Sequence, residues 1–110
     1  MDIVNRGIGL FFAASALCAT HVSAQTPDGA TLARQLNCMS CHAADRTLLG
    51  PSLADIRKRY ANEPSARDML AHKIQTGGVG AWGTVQMPAN TQVDDDEARA
   101  LVDWILDPNR

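Results

Sequence analysis

Cys38, Cys41 and His42 carry the most specific chemical signal in the sequence, because together they form a Cys-x-x-Cys-His motif. This spacing is typical of covalent attachment of a c-type haem. Two cysteines three positions apart at the end of a helix lie on one side of a turn, so their sulfurs can reach the two vinyl groups of one porphyrin. The histidine that follows then projects its imidazole towards the iron. We therefore predict one haem c, bound through Cys38 and Cys41 and ligated by His42.

Three other uses of these cysteines compete with haem attachment. A thioredoxin-type redox motif requires a βαβ context, and the sequence has none. A structural zinc site requires four ligands, and only His72 remains to complete a set with the motif residues. A disulfide between Cys38 and Cys41 would be strained. The sequence favours haem attachment over all three.

An electron-transfer haem also needs a second axial ligand, for which the sequence offers four candidates. Met39 lies between the two cysteines and cannot reach the opposite haem face. Met69 falls on the apolar stripe of a predicted helix, where core packing is expected, and His72 lies on the flank of that helix. Met87 lies in a long irregular segment directly before Pro88, which holds the preceding residue extended. Met87 is therefore the predicted ligand.

Four further residues are predicted to support the haem or its ligands: Pro51, Lys73, Trp82 and Asn90. The carbonyl of the Gly50-Pro51 step is expected to accept the ring N–H of the haem histidine. Trp82 and Lys73 are candidates to reach a haem propionate, and the amide of Asn90 is a candidate donor to the methionine sulfur. Each also has an ordinary structural interpretation: a helix start for Pro51, core packing for Trp82, a turn for Asn90 and a solvated cation for Lys73.

The elements that would position these residues are short helices. Thr26-Pro27 predicts the start of a first helix that leads into the haem motif. Ser52 is expected to cap a second helix, in which Leu53, Ile56 and Tyr60 share a face.

The second half of the chain continues this pattern. Ser65 and Asp68 resemble a capping box for a third helix that stops at Gly77-Gly78. Asp94 and Glu97 open the last helix, with an apolar stripe through Ala98, Leu101, Val102 and Ile105. The irregular segment from 77 to 93 is long enough to be functional. Because no run alternates as a strand would, the predicted fold is all-α.

Residues 1–24 resemble a secretory signal peptide cleaved after Ala24, which leaves 25–110 as one domain. Its apolar run is shorter than the roughly 20 residues that a membrane span requires. We expect export to the periplasm and no membrane span after cleavage. The net charge of −2 gives no indication of a nucleic-acid partner. Few aromatic residues remain in 25–110, so a large apolar cofactor would complete the core.

Taken together, these motifs resemble the small monohaem class I cytochromes c of bacteria, the short periplasmic type that donates electrons to nitrite reductases and terminal oxidases. The resemblance covers nearly all of residues 25–110. It is carried by 38–42, by Gly50-Pro51, by Gly80-Ala81-Trp82-Gly83, by Met87-Pro88 with Asn90, and by 95–98 leading into the Trp104 helix.

The resemblance implies four to five short helices wrapped round one haem, with His42 and Met87 as axial ligands. It also implies a monomeric electron carrier rather than an enzyme, with transient redox-protein partners. The alternatives are a haem subunit of a larger redox complex, or a peroxidase or gas-binding protein if Met87 does not ligate. Three features depart from the family pattern: Ala89 replaces a common second proline, the link Thr91-Gln92-Val93 is one residue longer than usual, and Ala33 replaces a common aromatic residue.

Overall fold

Four α-helices and one short 3-10 turn make up the fold. The computed structural model describes residues 23–110, in the order α1 (Gly29–Gln35), a 3-10 turn (Cys38–Ser40), α2 (Leu53–Tyr60), α3 (Ala66–Thr76) and α4 (Asp95–Leu106). Across these described residues there is no strand, only isolated bridges between His42 and Thr47 and between Gly78 and Met87. The all-α prediction is confirmed. Most of the predicted signal peptide lies outside the described residues.

Helix α4 lies at the centre of the core and packs against the other three helices. The predicted stripe is confirmed, because Ala98, Leu101 and Val102 are fully buried. Ala33 of α1 is buried in the same core, so a small residue there still allows α1 to pack closely on α4. None of the helices between residues 23 and 110 has the length and apolar character that a membrane span needs.

Both ends of α4 are fixed by side chains. At its start, the predicted capping box is confirmed: the amide of Glu97 donates to the Asp94 carboxylate at 2.8 Å, and the amide of Asp94 donates to Glu97 at 3.1 Å. At its end, Nε of Arg57 in α2 donates to the carbonyl of Ile105 at 2.9 Å. The last carbonyls of a helix lack intrahelical partners, and α4 has no basic residue in its last turn, so α2 provides one.

The predicted start of α1 at Thr26-Pro27 is wrong by two residues. The helix begins at Gly29, and Asp28 is its N-cap, accepting the amide of Thr31 at 3.0 Å. This hydrogen bond is the main reason why the pKa of Asp28 lies below its ordinary value. A carboxylate at an N-cap makes a charge-assisted bond to the helix amides, which favours Asp28 over Thr26.

The two serines predicted to open α2 and α3 behave differently. Ser52 is buried and caps α2 as predicted, accepting the amide of Asp55 at 2.9 Å. Ser65 precedes α3 but makes no capping bond, and its hydroxyl donates to Glu63 at 2.7 Å instead. The capping box predicted for Ser65 and Asp68 is therefore wrong, because Ser65 has helical rather than extended backbone angles.

Replacing Ser52 by alanine is expected to lower the free energy of unfolding by about 1–2 kcal/mol, because the first turn of α2 loses its cap. The matched control is Ser65→Ala, which removes the same hydroxyl from a position without a capping bond and should cost less than about 0.5 kcal/mol. Denaturant unfolding of both variants measures the difference. Equal losses would show that the cap contributes nothing.

Candidate functional site

A cavity of about 400 Å³ opens between the helices and the segment from 77 to 93. This volume lies within the range of roughly 300–1,000 Å³ that is usual for cofactor sites. Much of the wall is apolar, including Leu53, Ile56, Leu70, Ile74 and Leu101. Seven of the eight residues predicted to bind a haem also line it: Cys38, Cys41, His42, Pro51, Lys73, Trp82 and Met87.

The two cysteines are presented by the 3-10 turn that follows α1. Asn37 adopts a left-handed conformation with φ 58° and redirects the chain, after which Cys41 N–H donates to the Cys38 carbonyl at 3.2 Å. Both thiols are half-buried, and they are not joined in a disulfide. Desolvation raises the pKa of the Cys38 thiol. The described residues contain no strand, so the βαβ context of a thioredoxin-type motif is missing.

The zinc alternative also lacks a ligand set. Within residues 23–110, no three side chains among His, Cys, Asp and Glu are grouped closely enough to hold a metal ion. His72, the only candidate for a fourth ligand, does not line the cavity. It is exposed and lies in a polar surface depression with Asp68, Gln75 and Arg99. His72 is thereby also removed from the candidates for an axial haem ligand.

The imidazole of His42 has a fixed orientation. Its Nδ1–H donates to the carbonyl of Pro51, with 2.7 Å between the two heavy atoms. Because a carbonyl can only accept, the proton resides on Nδ1 and the lone pair of Nε2 is left free for a metal. A Cβ on Gly50 would lie 2.7 Å from Cε1 of the ring, so only glycine allows the imidazole to lie against this backbone. The Gly50-Pro51 step therefore both shapes and orients the histidine.

Met87 is half-buried, and it enters the cavity from the long segment between α3 and α4. Two backbone hydrogen bonds fix it to Gly78: Met87 N–H donates to the Gly78 carbonyl at 2.8 Å, and Gly78 N–H donates back at 3.0 Å. Extended pairing of this kind agrees with the restraint expected from Pro88. The thioether therefore belongs to a positioned residue rather than to a loose loop.

The two other methionines of the described chain also line the cavity. Met39 lies between the two cysteines and packs against the core. Met69 was expected to pack in the core, but it lies at the cavity wall instead. Helix α3 turns Leu70 and Ile74 towards the core, and this leaves Met69 at the edge of the buried face.

Asn90 does not take the predicted position. Its Nδ2 donates to the carbonyl of Ile74 at 3.1 Å and to that of Pro88 at 3.4 Å, with no bond to the sulfur of Met87. Asn90 also lies outside the cavity wall. The carbonyl of Ile74 is in the last turn of α3, where helix carbonyls lack intrahelical partners. It accepts both the backbone N–H and the side-chain amide of Asn90, each at 3.1 Å, so Asn90 ties the segment after Met87 to the end of α3.

Trp82 and Lys73 both reach the cavity wall. Trp82 is 43 % exposed, and its ring meets that of Tyr60 edge-on, with 6.4 Å between ring centroids. Lys73 lies across Gly78, because a Cβ on that glycine would be 2.7 Å from Nζ. Sequence reasoning missed Tyr60 and Arg59 as neighbours of Trp82. The position of Tyr60 at the end of the α2 stripe was a signal, but nothing in the sequence linked Tyr60 or Arg59 to a segment more than twenty residues away.

The chemistry of this wall fits a haem. Two neighbouring thiols, an imidazole with a free Nε2 and a thioether converge on one apolar cavity. Soft sulfur and imidazole donors are the ligands that haem iron takes in electron-transfer proteins. The fold and the site together define the class: an all-α domain that encloses a covalently attached haem.

Comparison with known proteins identifies the family. The family model for cytochrome c matches residues 27–107. The chain belongs to the cytochrome c family. The relatives include small bacterial cytochromes c-551 and c-552, and together with the family model they support a small monohaem class I cytochrome c. The cofactor is accordingly one c-type haem, attached covalently through Cys38 and Cys41.

Three relatives illustrate the match. Cytochrome c-552 of Nitrosomonas europaea is 41% identical over 99 residues, which cover 90% of this chain and 92% of that protein. Cytochrome c-551 of Pseudomonas aeruginosa is 36% identical over 94 residues, covering 86% and 88% of the two chains. The crystal structure of wild-type Nitrosomonas europaea cytochrome c552 superposes with a TM-score of 0.68 at 45% identity, covering 70% of this chain and 95% of that one.

Proposed function

We propose that this protein carries single electrons in the periplasm, with His42 and Met87 as the axial ligands of its haem iron. One observation carries the proposal: the Met87 thioether enters the cavity that also holds His42, and two backbone bonds to Gly78 keep it there. When bound, the haem supplies an iron that accepts and releases one electron.

The ligand pair favours carriage over catalysis. A thioether opposite an imidazole raises the reduction potential and leaves no iron position open to an external molecule. His42 is held by Pro51, and Met87 is held by Gly78. Neither side chain would have to move when the iron gains or loses an electron. No substrate is transformed in this reading, and the protein is not an enzyme.

The cavity wall suggests how the rest of the haem is held. Trp82 and Lys73 are the proposed contacts of the propionates, since an indole N–H and an ammonium group both donate to carboxylates. Both residues line the cavity. Trp82 belongs to the segment from 77 to 93, and Lys73 lies against Gly78 of the same segment. Asn90 has no part in this arrangement, because its amide is used by Ile74 and Pro88.

We further propose that residues 1–24 are removed on export and that 25–110 act as a monomer. Its partners would be other redox proteins, met briefly through a small interface, as weak electron-transfer encounters are. A net charge of −2 gives no reason to expect a nucleic acid among them.

The test is a pair of spectra of the purified haem protein. The ferric form is expected to show the long-wavelength charge-transfer band of methionine ligation, and the ferrous form is expected not to bind carbon monoxide. Absence of the band together with ready binding of carbon monoxide would replace the carrier with a peroxidase or gas-binding protein. Co-purification with one partner at a fixed ratio would indicate a subunit of a larger complex instead.

A further inference from the structure

The segment that carries Met87 forms a loop whose two ends are paired. The ends are joined by the two hydrogen bonds between Gly78 and Met87, and at the tip a bond of 2.9 Å from Gly80 N–H to the Gly83 carbonyl forms a tight turn. All residues from 79 to 86 except Gly83 line the cavity. We call residues 79–86 the ligand loop. Its own hydrogen bonds do not connect the tip to the helices.

Arg59, at the end of α2, makes that connection. Its Nη1 donates to the carbonyl of Ala81 at 2.6 Å. The guanidinium carbon also lies 4.5 Å from the ring centroid of Trp82, within the distance of a cation–π contact. Among the side-chain hydrogen bonds found for residues 23–110, this is the one that joins the ligand loop to another element.

Tyr60 completes this contact from the same end of α2. Its ring meets Trp82 edge-on, with an angle of 69° between the planes, and Arg59 lies 5.5 Å from the Tyr60 centroid. One guanidinium thus contacts a backbone carbonyl and two aromatic rings. Lysine could not reproduce this arrangement, because stacking on aromatic faces while donating in the plane is a property of the flat guanidinium.

We propose that Arg59 is a positioning residue that holds the ligand loop closed over the cavity and thereby keeps Met87 available to the iron. The inference rests on the proposed function in so far as Met87 is the ligand. Arg59 itself does not line the cavity. It acts on the tip of the loop that ends at Met87. Release of the tip therefore removes one of the restraints on this segment and leaves the two Gly78–Met87 bonds and the bonds from Asn90 to Ile74.

The test compares Arg59→Met with Lys58→Met in the haem-loaded protein. Both variants remove one positive charge from neighbouring exposed positions of α2, but Lys58 makes no contact with the ligand loop in the structure. Two readouts are needed: hydrogen exchange of the Gly78, Gly80 and Met87 amides, and displacement of Met87 from the ferric iron by added imidazole, followed through the charge-transfer band.

In Arg59→Met, the loop amides are expected to exchange about fivefold faster, and imidazole is expected to bind about fivefold more tightly, the size of an exposed cation–π contact and hydrogen bond. Exchange of the Leu101 amide in α4 and both readouts in Lys58→Met should stay unchanged. Equal changes in the two variants, no change in Arg59→Met, or acceleration that extends to Leu101 would each overturn the proposal.

Failure of this inference and failure of the proposed function give different results. If Met87 is not the ligand, the affinity for imidazole will be the same in Met87→Ala as in the unsubstituted protein. The exchange of the loop amides reports on the Arg59 contact whichever residue binds the iron.

Discussion

Replacing Met87 by alanine is expected to abolish the long-wavelength charge-transfer band and to open the iron to carbon monoxide and imidazole. Two of the three other candidates are badly placed, with His72 on the surface and Met39 between the two cysteines. The third, Met69, lines the cavity but lacks the pair of backbone bonds that hold Met87 to Gly78. The reduction potential should fall by a sizeable part of the roughly 0.8 V that axial ligands can span, because the soft thioether no longer favours the ferrous state.

The matched control for this experiment is Met69→Ala. It makes the same substitution in the same cavity wall, but on α3 and at a side chain that is already 38 % exposed. This variant should retain the band and shift the potential little. An intact band in Met87→Ala together with its loss in Met69→Ala would transfer the ligand role to α3. Absorption spectra and a redox titration of both variants decide between these outcomes.

The parts of the site that the sequence predicts correctly depend on neighbours in the chain. Cys38, Cys41 and His42 belong to a single turn, and the bond from His42 to Pro51 spans only nine residues. The caps at Ser52 and Asp94 each join residues three positions apart. In all of these, local geometry alone brings the two groups together, so spacing in the sequence carries the information.

The contacts that the sequence did not indicate mostly involve partners set by packing, and Ser65 is the local exception. The amide of Asn90 goes to a carbonyl of α3 sixteen residues earlier, and that carbonyl is available only because α3 ends next to the ligand segment. The contact of Arg59 with Ala81 spans twenty-two residues in the same way. Ser65 failed because its backbone continues the helical conformation. No spacing rule indicates which distant acceptor a side chain will meet.

The largest loss of stability is expected from Gly77→Ala, at the junction between α3 and the ligand segment. Gly77 has φ 69° and ψ −159°, a backbone region that is essentially restricted to glycine. A Cβ there would lie 2.5 Å from the carbonyl oxygen of Met87 and 2.7 Å from the amide nitrogen of Ala89. Both are backbone atoms at or next to Met87, the proposed axial ligand, so relief of the clash must displace Met87.

The control Gly83→Ala separates the cost of backbone strain in Gly77→Ala from the cost of its steric clash. Gly83 also has a positive φ, 124°, but a Cβ there would meet no atom within 4 Å. Backbone strain alone should cost about 1–3 kcal/mol in either variant. Gly77→Ala should exceed Gly83→Ala by a further 1–3 kcal/mol or so, the usual cost of overpacking, and only Gly77→Ala should weaken the charge-transfer band. Denaturant unfolding of the haem-loaded proteins measures the difference in stability, and absorption spectra measure the band. Equal losses of stability with equal spectra would mean that the contact between Gly77 and Met87 does not hold the ligand in place.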